Sequence, residues 1–206
     1  GHIPGAVNIG DAGVVLRDAV KEDFIDTAQI AKILGQAGID PAKEVVVYAD
    51  RGSAYAYFGR FALRYFGGNR VSVYHDGIEG WAAAGNPVAT EDTKPAPVAL
   101  TLVPRPDLAV TTEEMVGRVR QGNAQIIDAR TRGEFQGEDV RAIRGGHLPG
   151  AVNIPYEANW KDPDTGAKLA RRQVADNAGM SLAPQAALKS LYANLDPDKE
   201  TVVYCQ

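Results

Sequence analysis

The sequence predicts an α/β protein of two similar domains, each built on a mainly parallel sheet. Two observations carry this. Gly1-His-Ile-Pro-Gly-Ala-Val-Asn-Ile9 returns almost unchanged as Gly146-His-Leu-Pro-Gly-Ala-Val-Asn-Ile154, an offset of 145 residues between His2 and His147. That spacing is too long for a solenoid repeat and suits a duplicated domain. Short apolar runs also alternate with stretches of helical spacing, the pattern of buried parallel strands joined by crossover helices.

In the first copy, residues 29–36 place Ile30, Ile33 and Leu34 on one helical face, with Asp26 or Thr27 as cap. Val45–Tyr48 reads as a buried strand. Ser53–Phe66 reads as a helix closed by Gly67 and Gly68, and Val71–Tyr74 as another strand. His75-Asp-Gly-Ile-Glu-Gly-Trp81 is a turn entering a short helix. Five prolines between 86 and 106 mark a connector that wraps rather than forming a helix. The expected division is 1–90 for the first domain, 91–107 for the linker and 108–206 for the second domain. In the second copy, Thr111-Thr-Glu-Glu114 is a capping box. Ala124–Asp128 is a strand, Pro184–Leu195 a helix with Leu188, Leu191, Tyr192 and Leu195 aligned, and Thr201–Tyr204 the last strand.

Composition narrows the function. A chain that is 45% hydrophobic can build real cores, and nothing in it approaches a transmembrane stretch. A net charge of −4 argues against a nucleic-acid binder, while 22 lysines and arginines leave room for a local anion site. The single cysteine excludes an intramolecular disulfide and most zinc frameworks. It fits a reducing compartment, which favours the cytoplasm. The periplasm is the alternative, since a signal peptide would lie upstream of Gly1. The chain opens on motif residues and stops just past its cysteine, so both ends read as truncations, and residues 1–206 alone are expected to be inactive.

Cys205 is the leading candidate for chemistry. It follows the Val-Val-Tyr strand of the second copy, where the first copy has Val46-Val-Tyr48 and then Ala49. Ligands of open α/β sheets gather at the carboxyl ends of strands. Loop N–H groups and a following helix dipole there favour the thiolate. The competing reading is an inert core cysteine. Asp128 and Arg130 end the strand at 124–128 and are read as either a charged pair near the cysteine loop or a loop-anchoring salt bridge. Arg132 and Glu134 are expected on a solvated face. The repeated Gly-His-Ile/Leu-Pro-Gly motif reads as turn chemistry, because the copy without the thiol keeps it.

On these residues the chain resembles the rhodanese family, and within it the tandem sulfurtransferases with an inactive first and an active second domain. The pieces that match are the doubled GH(I/L)PGAVNI, HDGIEGW at 75–81, IIDAR at 126–130 and VVYC at 202–205. The resemblance implies two domains with helices on both faces of each sheet, and no metal or organic cofactor. It further implies that Cys205 takes a sulfur from thiosulfate or 3-mercaptopyruvate as a persulfide and passes it to cyanide or another thiophilic acceptor. Asp128 and Arg130 would help to bind the donor. Where some members carry a donor-binding arginine four residues on, this chain has Glu134. Cys205-Gln206 leans towards thiosulfate. A sulfur carrier or interaction module without turnover is the alternative, and a cysteine phosphatase or arsenate reductase a more distant one.

Overall fold

Short polar side chains start the helices of the first half. Asp11 accepts from the Gly13 N–H to open α1 (Ala12–Val15), and Asp26 accepts from Ala28 and Gln29 to open α2 (Thr27–Gln36). Strand β1 (Val45–Val47) follows, then α3 (Ala54–Tyr65) capped by Ser53, β2 (Val71–Val73) and α4 (Gly77–Ala83). The computed structural model describes residues 1–21 and 23–205, in two compact units, Gly1–Leu108 and a second that begins at Ala109. Gln206 lies outside the described residues.

In the first unit β1 and β2 pair in parallel, Val45 opposite Val71 and Val47 opposite Val73. The apolar stripes of α2 and α3 supply Ile30, Leu34, Ala62, Leu63 and Phe66 to one core with Leu16 and Val71. Phe24 seals it, its ring centroid 4.9 Å from those of both Tyr65 and Phe66. The proline-rich stretch has neither helix nor ladder before the short turn at Pro106–Leu108. It lies along α2, with a bond of 2.9 Å from the Val98 N–H to the Gly35 carbonyl, and packs Leu100 and Leu102 against the core. Gly35 is required there, since a Cβ would collide with the Val98 carbonyl.

The second unit opens with the expected capping box. Thr111 and Glu114 bond reciprocally at the start of α5 (Thr112–Gln121), which ends on left-handed Gly122. Strand β3 (Gln125–Asp128), α6 (Arg132–Gln136), β4 (Ala151–Asn153), α7 (Thr165–Ala170), α8 (Gln185–Leu191) and β5 (Thr201–Tyr204) follow. The sheet is parallel in the order β4-β3-β5, with Ile126, Ile127 and Val202 buried. α8 stops short of the expected Leu195. Its last turn tightens through i to i+3 bonds, Ala193 N–H to Ser190 and Leu195 N–H to Tyr192. The repeated Ala-Val-Asn is itself a strand in the second unit, because β3 lies beside it. Residues 6–8 of the first unit form no ladder.

Candidate active site

The register brings Asn153, Asp128 and Tyr204 into one row at the carboxyl edge of the sheet. The next residues along these strands are Ile154, Ala129 and Cys205, held by bonds of 3.0 Å from Ile154 N–H to Asp128 O and 2.9 Å from Ala129 N–H to Tyr204 O. Cys205 is exposed at this edge. It is not a core residue.

Asp128 and Arg130 form an anchor. The Asp128 side chain is fully buried, and Arg130 grips it with Nε 3.0 Å from Oδ1 and Nη2 2.6 Å from Oδ2. Nη2 also donates to the Gly146 carbonyl at 2.8 Å, so the same guanidinium holds the start of the repeated motif. The Tyr204 hydroxyl donates to Oδ2 at 2.6 Å and accepts from the Leu148 N–H at 3.2 Å. The guanidinium carbon lies 5.4 Å from the Tyr204 ring centroid. Burial alone would push the Asp128 carboxyl up. The hydrogen bonds from Arg130 and Tyr204 and the guanidinium charge outweigh it, and the carboxyl falls below its ordinary range.

The repeated motif is bound into this frame. His147 bonds through Nδ1 to the Phe135 carbonyl at 2.8 Å and stacks on the Phe135 ring with centroids 3.6 Å apart. Asn153 donates from Nδ2 to the carbonyls of Asp128 and Arg130 at 3.0 and 2.9 Å. These contacts give His147 and Asn153 turn-holding work. Arg132 is exposed as expected, but Glu134 is not, being only 3% accessible. It is the third residue of α6, and its carboxylate accepts from the Thr131 N–H and hydroxyl at 3.0 and 2.8 Å. Thr131-Arg-Gly-Glu134 is a second capping box, with the same spacing as the one recognised at 111–114.

Sequence reasoning passed over two tyrosines at this edge, Tyr204 and Tyr156. The backbone N–H of Tyr156 bonds to the Ala129 carbonyl at 3.0 Å, next to the Cys205 position in the row. Burial, the charge and hydrogen bond of Glu157, and then the charges of Cys205 and Glu134 push its phenol up to about 12, so it stays a proton donor. A signal existed. The two copies diverge directly after the shared Asn-Ile, with Pro155-Tyr156 in one and Gly10-Asp11 in the other. Among the described residues no cluster of histidine, cysteine and carboxylate side chains is suited to a metal ion, and no helix is long and apolar enough to cross a membrane.

The first unit shows what can follow such a strand. After Ala49 the chain turns through 50–53 into α3. The Arg51 N–H donates to the Glu79 carboxylate at 2.9 Å and the Gly52 N–H to the His75 carbonyl at 3.0 Å. Gly77 (φ +59°) packs against Ala49 and Arg51 so closely that a Cβ would collide with both backbones. The 75–81 motif thus buttresses the strand-to-helix loop.

Comparison with known proteins fits this arrangement. The rhodanese-like domain family matches residues 1–84 and 111–206. A thiosulfate sulfurtransferase of Corynebacterium glutamicum is 31% identical over all of this chain and 66% of its own length. The sulfur carrier protein TtuD of Thermus thermophilus is also 31% identical, over all of this chain and 71% of its own. Among solved structures, the 3-mercaptopyruvate sulfotransferase SseA of Escherichia coli superposes with a TM-score of 0.77 at 26% identity, covering 98% of this chain and 72% of SseA. The chain spans about two thirds of the length of these relatives. It belongs to the rhodanese family, with the tandem-domain layout of that family's sulfurtransferases.

Proposed function

We propose that the protein is a thiosulfate sulfurtransferase in which Cys205 carries the sulfur and the first unit, with Ala49 at the matching position, carries none. The observation that supports this best is the exposed thiol one residue beyond the row of Asp128, Asn153 and Tyr204, at the carboxyl edge of a parallel sheet. The Cys205 thiolate attacks the outer sulfur of thiosulfate, the sulfur–sulfur bond breaks and sulfite leaves with the bonding pair. Cyanide or another thiophile then attacks the outer sulfur of the persulfide, and the thiolate returns. The loop at 50–53 supports an anion cradle after such a strand, because there a backbone N–H already holds a carboxylate.

In this reading Asp128 and Arg130 act on the donor chiefly through position. Their mutual bonds fix the ends of β3 and β5 and the Gly146 turn, and the guanidinium adds positive charge at the edge where the anion arrives. Tyr156, protonated at working pH, supplies a hydroxyl on the Cys205 side. The division into an inactive 1–90, a connector 91–107 and a catalytic 108–206 completes the proposal. The test is thiocyanate formation from thiosulfate and cyanide by the intact protein that contains this chain. Cys205→Ala should abolish it, and turnover persisting at the wild-type rate would exclude Cys205 as the nucleophile.

The likeness to TtuD favours a second reading, a sulfur carrier. It predicts the same persulfide on Cys205, stable to small acceptors and discharged by a protein thiol.

A further inference from the structure

The two copies part directly after the shared Asn-Ile, with Pro155-Tyr156-Glu157 in the second and Gly10-Asp11-Ala12 in the first. Pro155 has no N–H to give to β3, and the Tyr156 N–H bonds to the Ala129 carbonyl at 3.0 Å. On its other side Ala129 donates to the Tyr204 carbonyl, so only an alanine stands between positions 156 and 205 at the sheet edge. Two strand spacings, ~10 Å, separate their backbones, a gap that a tyrosine side chain can largely cross. The Tyr156 ring stands edge-on to buried Trp160, with centroids 5.5 Å apart, and remains 38% exposed.

Two charges act on its hydroxyl, first that of Glu157 and then that of Cys205. Oε2 of Glu157 is buried and has no hydrogen-bond partner among the described residues. A carboxylate oxygen without a donor is an open proton acceptor. The other tyrosine of this edge is committed elsewhere, since the Tyr204 hydroxyl donates to Asp128 and accepts from the Leu148 N–H.

We propose that Tyr156 is a further catalytic residue, which passes the proton of a thiol acceptor to Glu157. This rests on the sulfur-carrying role proposed for Cys205 and names the acceptor class as a thiol. The acceptor arrives as R–SH, and its proton moves to the Tyr156 oxygen while the phenol's own proton moves to Glu157. The acceptor sulfur bonds to the outer sulfur of the Cys205 persulfide. The bond from that sulfur to Cys205 breaks, and its electron pair returns to Cys205 as the thiolate. The products are R–S–SH, the thiolate and a protonated Glu157, which releases its proton to water. A thiol is mostly protonated near neutral pH, so its attack gains from such a base.

The test uses the intact protein that contains this chain, loaded with sulfur from thiosulfate and freed of excess donor. Loss of the ~32 Da adduct on Cys205 is then timed with two acceptors. One is 2-mercaptoethanol, which arrives protonated; the other is sulfite at mildly alkaline pH, which has no proton to lose. Tyr156→Phe and Glu157→Gln should each slow discharge to the thiol about a hundredfold, the lower end of what a positioned base contributes. Discharge to sulfite should stay within about twofold of wild type. The variants' remaining rate with the thiol should climb about tenfold per pH unit, following free thiolate, and the wild-type rate less steeply. Equal losses with both acceptors would make the pair merely structural and overturn the proposal, as would no loss with the thiol or an unchanged pH slope. In those cases a persulfide on wild-type Cys205 leaves the sulfurtransferase reading standing. No persulfide at all would overturn both.

Discussion

Tyr48 and Tyr204 stand at the same point of the repeat and do different work. Each ends a Val-Val-Tyr strand, and each accepts from the N–H two residues after the first glycine of the repeated motif. Tyr204 additionally donates to a buried carboxylate that Arg130 grips from the other side. In the first unit the residue after the tyrosine is alanine and its loop is tied down by Glu79. In the second it is an exposed cysteine. The tyrosine contact shared by both copies therefore holds the turn, whereas the carboxylate and guanidinium contacts of Tyr204 belong to the candidate site. A duplicated domain separates the two kinds of residue without any alignment of relatives.

Breaking the anchor of the second unit should have the largest effect on this contrast. Asp128→Ala strands the Arg130 guanidinium and should destabilise the second unit by about 3–5 kcal/mol, the usual cost of removing one partner from a buried ion pair. Denaturant unfolding followed in each unit would check it, and a loss below about 1 kcal/mol would mean that the pair is solvated. The paired tyrosines come next. Tyr204→Phe loses a bond to a charged acceptor, about 1.5–3 kcal/mol, and Tyr48→Phe only a neutral one, about 0.5–1.5 kcal/mol. Equal losses would erase the distinction drawn between the copies. Smaller again is Thr131→Ala, which removes the cap of α6 and should cost about 1 kcal/mol.

The same anchor sets a pH dependence confined to the second unit. The Asp128 carboxyl is lower in the folded protein than its unfolded value of about 3.9, so its contribution is complete above that value. It is lost as the pH falls through the folded value. Asp128→Asn should flatten the acid limb of the second unit's unfolding midpoint and leave the first unit's limb unchanged.

Much of the frame was legible in the residues. Caps such as Asp26, Ser53 and Thr111 act within one turn of themselves, and the valine-rich runs pair in parallel as expected, although β1 is not the buried strand its apolar run suggested, Val46 being 56% exposed. Glu134 was misplaced because charge suggested solvent, while its real partner, Thr131, sits three residues back in a recognisable pattern. α8 ended early because its last turn tightened before the Asp196-Pro197 break, a choice that spacing alone does not reveal. Tyr204 was invisible as a site residue, since its carboxylate is 76 positions away and only sheet register brings the two together. The Asp128–Arg130 pair was recognised, but which of its two readings holds depends on burial.

The central claim is that Cys205 carries a sulfane sulfur. Intact-mass and peptide mass spectrometry of the protein after treatment with thiosulfate tests it most directly. The account predicts a single adduct of ~32 Da, one sulfur atom, on the peptide bearing Cys205, removed by cyanide and absent from Cys205→Ser. An unmodified Cys205 under conditions where thiosulfate is consumed, or an adduct that Cys205→Ser retains, would contradict it.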